Sequence, residues 1–253
     1  MSSSGGARPR APDFGPLAES YDRLRPADAN WREVFELLVA EGDLAGRRVV
    51  DIGCGTGQLA AALGVLGARV WGVDPSPEML AHARAAAPHA GFKQGRAEAL
   101  PFKDGWFERA VFRLVLHLVD RPRALGEARR VLVPGGLVAA VTFAPGHFDS
   151  YWLNDLFPQI RAIDRQRFPA VAELVREVEE AGFVDAGARR LAQRGRLGRE
   201  EALERIRGKH ISTLHLLDEG DFAAGLARAE RELPDTVEYT ADWALVAAVR
   251  PSG

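Results

Sequence analysis

Val49-Val50-Asp51-Ile52-Gly53-Cys54-Gly55-Thr56-Gly57-Gln58-Leu59 decides the fold of this chain. Two β-branched residues run into an acid, three glycines alternate with small residues, and a helical stretch follows. β-Branched residues favour a strand. Glycine admits φ > 0 and lets a backbone approach a ligand that any Cβ would hold off. The helix that follows aims the free N–H groups of its first turn at whatever sits there.

Val70-Trp71-Gly72-Val73-Asp74 is a second short apolar run that ends in an acid. Asp74 lies about twenty residues beyond the glycines, where doubly wound folds set a carboxylate on ribose hydroxyls. The loop therefore expects a nucleoside. A dinucleotide fingerprint, G-x-G-x-x-G, would need its third glycine at Gln58. Asp51, at the strand end, suits a ligand with a positive amino group and would repel a pyrophosphate.

These residues resemble motif I of the class I S-adenosylmethionine-dependent methyltransferases, whose usual form is close to V-L-D-x-G-C-G-T-G. The resemblance continues in order. Gly72-Val73-Asp74-Pro75-Ser76-Pro77-Glu78-Met79-Leu80 is similar to the second motif of the small-molecule branch related to the ubiquinone- and menaquinone-biosynthesis methyltransferases. Gly95-Arg96-Ala97-Glu98-Ala99-Leu100-Pro101-Phe102 resembles its adenine-side motif. Phe107 to Val119, with Leu116-His117, is similar to its fourth-strand segment, and Arg130-Val131-Leu132-Val133-Pro134-Gly135-Gly136 to the turn before the fifth strand. The match covers residues 46–143.

The resemblance implies a Rossmann-like α/β fold. Seven mostly parallel strands would run in the order 3-2-1-4-5-7-6, with strand seven antiparallel and helices on both faces. It implies S-adenosyl-L-methionine as cofactor and S-adenosyl-L-homocysteine as product. Asp74 would accept the ribose hydroxyls. Gly53, Gly55 and Gly57 would admit the methionine portion, and Asp51 would orient its amino group. Cys54 would pack within the glycine turn. Pro75 and Met79 would border the adenine, which Ala97 would contact through its backbone beside Glu98. Many relatives carry an acid where this chain has Arg96, and Glu98 would then take the adenine amino group. Phe112 to His117 would face the same crevice. Tyr21 and Arg25 would cover the cofactor and meet its carboxylate, Arg25 being the better charge partner because its fork suits a carboxylate.

His117 is the acid/base candidate, because histidine titrates near neutrality. The same position is histidine in relatives with different acceptors, so packing at a helix start stands beside catalysis. His147, Tyr151, His210 and His215 are further candidates. No H-E-x-x-H, paired C-x-x-C or P-loop occurs, and no metal is expected.

The chain has 253 residues, 47% hydrophobic and 27% charged, enough for one domain with a full core. A formal charge of −2 gives no general attraction to nucleic acid or an anionic membrane. No run is long enough to span a bilayer. The single cysteine, Cys54, rules out an internal disulfide and suits a reducing compartment, so a cytoplasmic protein is expected. Met1 to Pro16 is rich in Ser, Gly and Pro, lacks an apolar signal core and is expected to be disordered.

Periodicity divides the rest. Trp31, Val34, Phe35, Leu38 and Val39 recur at helical spacing, with Asn30 as the expected cap. Strands are expected at 48–52, 70–73, 92–93, 110–112 and 137–143, then at 184–191 and 243–250. Helices are expected from Gln58, after the cap Ser76 and N1 residue Pro77, and over 171–181, 199–207 and 222–232. Residues 144–169 show no clean period, and 208–217 find no place. The expected division is a tail (1–16) and one methyltransferase domain (17–253). Within the domain, 17–45 form an N-terminal helical cap or lid and 46–143 the cofactor-binding core. Residues 144–170 form a substrate-side insertion, and 171–253 the C-terminal part of the sheet.

The acceptor is read partly from absences. No N-P-P-Y or D-P-P-Y segment occurs, and one cysteine does not serve a two-cysteine route to 5-methylpyrimidines. No basic stripe marks nucleic-acid binding. Phe148, Tyr151, Trp152, Phe157 and Phe168 in the insertion suit a small, partly apolar acceptor, with core packing as the competing reading. The leading expectation is methyl transfer to such an acceptor by in-line displacement. Modification of tRNA or protein, a non-catalytic S-adenosylmethionine-binding regulator and a nicotinamide oxidoreductase are the alternatives. The sequence sets no oligomeric state.

Overall fold

The structure is a computed structural model, and it describes residues 12–252. The expected disordered tail lies outside the described residues as far as residue 11, and Gly15–Leu17 forms a single 3-10 turn.

Seven strands form one sheet: β1 (Arg48–Ile52), β2 (Arg69–Asp74), β3 (Gly91–Gln94), β4 (Phe107–Arg113), β5 (Leu132–Phe143), β6 (Val184–Gly198) and β7 (Thr236–Val249). Their order is β3-β2-β1-β4-β5-β7-β6, as expected. β1 to β5 pair in parallel, and β7 runs antiparallel to both neighbours. The central strands are buried on both faces, which is why they read as continuous apolar runs. Val49, Val111, Ala139 and Leu245 form one face and meet Val34 and Leu38 of α2 (Ala29–Gly42) and Leu59 and Leu63 of α3 (Gln58–Val65). Val50, Ala110, Phe112 and Val138 form the other and meet Leu125 of α5 (Arg121–Val131) and Leu174 and Val178 of α7 (Val171–Glu180). The chain leaves β1 toward β2 and later returns to its other side as β4, so the crevice opens between the C-terminal ends of β1 and β4.

Local chemistry explains the helix ends, with one correction. Ser76 caps α4 (Pro77–Ala86) by accepting from the Met79 amide at 3.1 Å, with Pro77 in its first turn. α2 is capped by Asp28, which accepts from the Trp31 amide at 2.9 Å. The expected cap, Asn30, lies inside the helix, and its side chain donates to the Tyr239 hydroxyl at 3.2 Å. Both residue types cap well, and the carboxylate two positions earlier takes the place.

β6 and β7 are nearly twice as long as their apolar stretches. Gln193, Arg194, Gly195 and Arg196 lie beyond the expected strand 184–191, yet pair with Ala241, Thr240, Tyr239 and Glu238. This outer half of the hairpin rises past the sheet and carries a cap. α8 (Arg199–Arg207) and α9 (Glu219–Glu232) connect β6 to β7 and pack with α6 (Ile160–Arg167) around Leu153, Phe157, Leu203 and Ile206. Residues from the insertion and from 199–233 thus share one small core above the crevice.

Candidate functional site

The glycine turn is laced to the end of β2. The amides of Gly53 and Cys54 both donate to the Val73 carbonyl, at 2.8 and 3.1 Å. Asp74 answers from the other side. Its Oδ2 accepts from the Gly55 amide at 3.0 Å and its Oδ1 from the Ser76 amide at 3.0 Å. Each oxygen keeps a lone pair for a ligand. Gly55 has φ +52°, and a Cβ built there meets nothing within 4 Å, because it would project into the cavity.

Asp51 lies deeper. It is 2% exposed, and its Oδ2 is buried with no hydrogen-bond partner. Burial pushes its pKa up to about 7; Asp74 adds to the rise and Arg113 opposes it. A buried carboxylate oxygen without a donor is costly, and a ligand N–H group would satisfy it.

A cavity of about 370 Å³ runs from this corner to the underside of the cap. Tyr21, Arg25, Gly53, Gly55, Asp74 and Pro75 border it, as do Met79, Ala97, Glu98 and His117. The structure brings all ten of these expected residues together. Four others stand behind the wall. Asp51 lies beneath it, as described. Cys54 is buried, and a Cβ at Gly72 would meet its Sγ at 2.7 Å; burial pushes the thiol pKa far up, so it is no nucleophile. Gly57, at φ +82°, would drive a Cβ to 2.9 Å from Ala83 Cα, so it permits the approach of α3 to α4 rather than of a ligand. Phe112 is fully buried in the core on the α5 face.

Beside Ala97, Glu98 Oε1 accepts from the Asp120 amide at 3.0 Å. Its Oε2 is buried and has no hydrogen-bond partner, with the Arg96 guanidinium at 3.5 Å. Arg96 in the place of the usual acid therefore leaves one free acceptor, on Glu98.

The N-terminal segment folds over the corner. Asp22, in α1 (Ala18–Leu24), accepts from Thr56 Oγ1 at 2.6 Å and from Gln58 Nε2 at 2.8 Å. Arg25 donates from Nη1 to the Tyr21 hydroxyl at 2.6 Å and from Nε to the His210 carbonyl. Two of its five donors are spent within the protein.

Under the cap the wall turns aromatic. Phe143 stacks on His147 at 4.0 Å and packs on Trp243 at 4.2 Å, and Phe148 packs on Phe168 at 4.8 Å. Phe148, Tyr151, Trp152 and Phe168 border the cavity as expected, whereas Phe157 belongs to the cap core. His117 stacks on Phe168 at 4.0 Å, with Nε2 3.4 Å from Ser212 Oγ and Nδ1 buried without a partner. Burial, Arg167 and Arg25 hold its pKa well below the usual value, so the ring is neutral near pH 7. His210 Nδ1 lies 3.0 Å from the Arg205 carbonyl. A carbonyl only accepts, so Nδ1 carries the proton and Nε2 keeps its lone pair, 3.4 Å from the Tyr151 hydroxyl. Burial and Arg25 push the His210 pKa down to about 3. His147 and His215 are also pushed down by burial.

Sequence reasoning missed the polar side of this chamber. Arg167 donates to Thr213 Oγ1 and Ser212 Oγ, both at 3.0 Å, and Thr213 donates to Asp164. The i, i+3 spacing of Asp164 and Arg167 was the available signal. Arg113, at the end of β4, was missed too. A charge directly after the apolar run 110–112 was its signal, since ligands bind at such strand ends.

Residues 50–140 match the family model described as a methyltransferase domain. An uncharacterized methyltransferase of Mycobacterium tuberculosis is 39% identical over 128 residues, 51% of this chain and 51% of that protein. The demethylmenaquinone methyltransferase of Thermus thermophilus is 38% identical over 144 residues, 52% of this chain and 64% of that protein. The chain thus spans half to two thirds of the length of these curated relatives. Among solved structures, phosphoethanolamine N-methyltransferase 2 of Haemonchus contortus, in complex with S-adenosyl-L-methionine, aligns with a TM-score of 0.61 at 21% identity. That alignment covers 94% of this chain and 57% of that one, and it shows the shared fold. Among the described residues, no helix is long and apolar enough to cross a membrane, and no group of three or more His, Cys, Asp or Glu could hold a metal ion.

Proposed function

We propose that this protein is an S-adenosylmethionine-dependent methyltransferase acting on a small, partly apolar acceptor. The observation that carries the reading is the Gly55–Asp74 hydrogen bond at the cavity wall, with the unpartnered Asp51 oxygen below it. In this reading Asp74 takes the ribose hydroxyls, Asp51 the ammonium group, Glu98 the adenine amino group, and Met79 the adenine face. Tyr21 and Arg25 cover the bound nucleoside as a lid. The sulfonium supplies an activated methyl group, so the chain's task is to place a nucleophile in line behind it and exclude water. Positioning of this kind supplies roughly 7–11 kcal/mol of barrier lowering in favourable cases.

The aromatic chamber beside Ser212, Thr213 and Asp164 supports an acceptor with a flat apolar body and at least one polar group. His117 remains the candidate catalytic group, acting as a neutral ring. His210 offers a fixed Nε2 lone pair as a second hydrogen-bond acceptor. The one thiol, buried at Cys54, agrees with a cytoplasmic protein. An acceptor screen that reads S-adenosylhomocysteine release tests the proposal, with Asp74→Ala as its control. Turnover confined to macromolecular fractions would turn the reading to tRNA or protein. Binding without turnover in any fraction would turn it to a regulator.

A further inference from the structure

Arg113 is partly buried and lines the cavity beyond Asp51. Its guanidinium lies 5.4 Å from the Trp31 ring, and it makes no hydrogen bond or ion pair with a described residue. Its charge is felt by Asp51, Tyr21 and Arg25 alike. The neighbouring arginines are committed. Arg25 serves Tyr21 and His210, Arg205 serves Glu201, Arg167 serves Ser212 and Thr213, and Arg96 faces Glu98. Arg113 therefore lines the cavity with its guanidinium donors unspent, within electrostatic reach of Asp51, the one carboxylate of the turn with a buried oxygen that has no donor. A cation in the wall and a partnerless carboxylate oxygen just beneath it are complementary to a ligand that carries an ammonium and a carboxylate on one carbon.

We infer that Arg113 is the receptor for the α-carboxylate of the cofactor's methionine portion, paired with Asp51 as receptor for its ammonium. This rests on the reading above that the Gly53–Asp74 corner takes S-adenosylmethionine. It moves the carboxylate contact from Arg25, the expected partner, to the end of β4. Arg25 is then a lid strut that ties α1 to the cap. Placing the receptor on a strand end rather than on the N-terminal segment fixes the amino-acid portion before the lid settles.

Calorimetric titration of the full chain with S-adenosylmethionine, with decarboxylated S-adenosylmethionine and with 5′-methylthioadenosine tests the assignment without any acceptor. The wild type is expected to prefer S-adenosylmethionine to its decarboxylated form by about 10- to 100-fold, the range for losing a charge-assisted contact. Arg113→Met should bring that ratio close to one and leave 5′-methylthioadenosine binding unchanged, which also shows that the variant is folded. Arg113→Lys should keep part of the preference. Arg25→Met should change it by less than about threefold, since one strut rather than the receptor is lost. An Arg113→Met protein that keeps the wild-type ratio overturns the assignment, as does an Arg25→Met protein that loses it. Should the wild type bind none of the three nucleosides, the cofactor reading itself fails, an outcome distinct from a kept ratio.

Discussion

Asp51 and Asp74 are both acids at strand ends, and their surroundings give them different properties. Asp74 is held by two amides, whereas Asp51 is buried with a free oxygen. Burial raises the folded-state pKa of Asp51 from 3.8 to about 7, with Asp74 raising it further and Arg113 opposing. The folded state therefore binds the proton more tightly than the unfolded chain. Its contribution to stability is complete below pH 3.8 and is lost as pH rises through 7. A shift of about three units corresponds to at most roughly 4 kcal/mol. Asp51→Asn should therefore leave the melting temperature of the ligand-free protein unchanged near pH 4 and raise it at pH 8. The same variant should bind S-adenosylmethionine more weakly, because the ammonium loses its counter-charge. Equal melting shifts at both pH values would show that Asp51 is hydrated and ordinary. Asp51 and Asp74 could be picked from the sequence because each closes an apolar run. Arg113 carried only a weak signal, a charge directly after the apolar run 110–112, and an arginine after a strand reads as surface until the cavity is seen beside it.

At the scale of elements, two joints hold the site together. The first ties α1 to the glycine turn through Asp22, Thr56 and Gln58. Asp22→Ala should release α1, and hydrogen exchange should then speed up in residues 18–24 with little change in β1. Unchanged exchange would mean that packing of α1 on α4, not the polar tie, seats the lid. The second joint is in the cap. A Cβ at Gly225 of α9 would fall 2.1 Å from the Phe157 ring. Gly225→Ala should cost about 1–3 kcal/mol by overpacking, seen as a lower denaturation midpoint. A stabilised variant would show that the ring moves aside freely. The parallel half of the sheet was legible because its strands are short and apolar and alternate with helices, the pattern of βαβ units. The cap was not. Its core joins Leu153 and Phe157 to Leu203, Ile206 and Ala229, residues from separate segments whose spacing carries no common period. The outer halves of β6 and β7 escaped for a related reason. Their polar residues pair with each other across the hairpin, and strand pairing there overrides weak strand propensity.

Across the whole molecule, two cores divide the work. The doubly wound sheet fixes the glycine-turn corner, and the helical cap roofs the chamber beside it. One residue spans both: Arg25, on the segment after α1, reaches the His210 carbonyl under the cap. The charge pattern follows the same division, with carboxylate oxygens of Asp51 and Glu98 that lack a hydrogen-bond partner at the glycine-turn end and the Arg113 guanidinium near Trp31 of α2. The central claim is that Asp74, held by the Gly55 amide, takes the ribose of a sulfonium nucleoside with its remaining lone pairs. Calorimetric titration of the full chain with S-adenosylmethionine, wild type beside Asp74→Ala, tests this most directly. The prediction is saturable 1:1 binding well below millimolar, weakened at least about tenfold in the variant, as expected when hydrogen bonds to a charged group are lost. No heat of binding at millimolar ligand, or equal affinity in the two proteins, would contradict it.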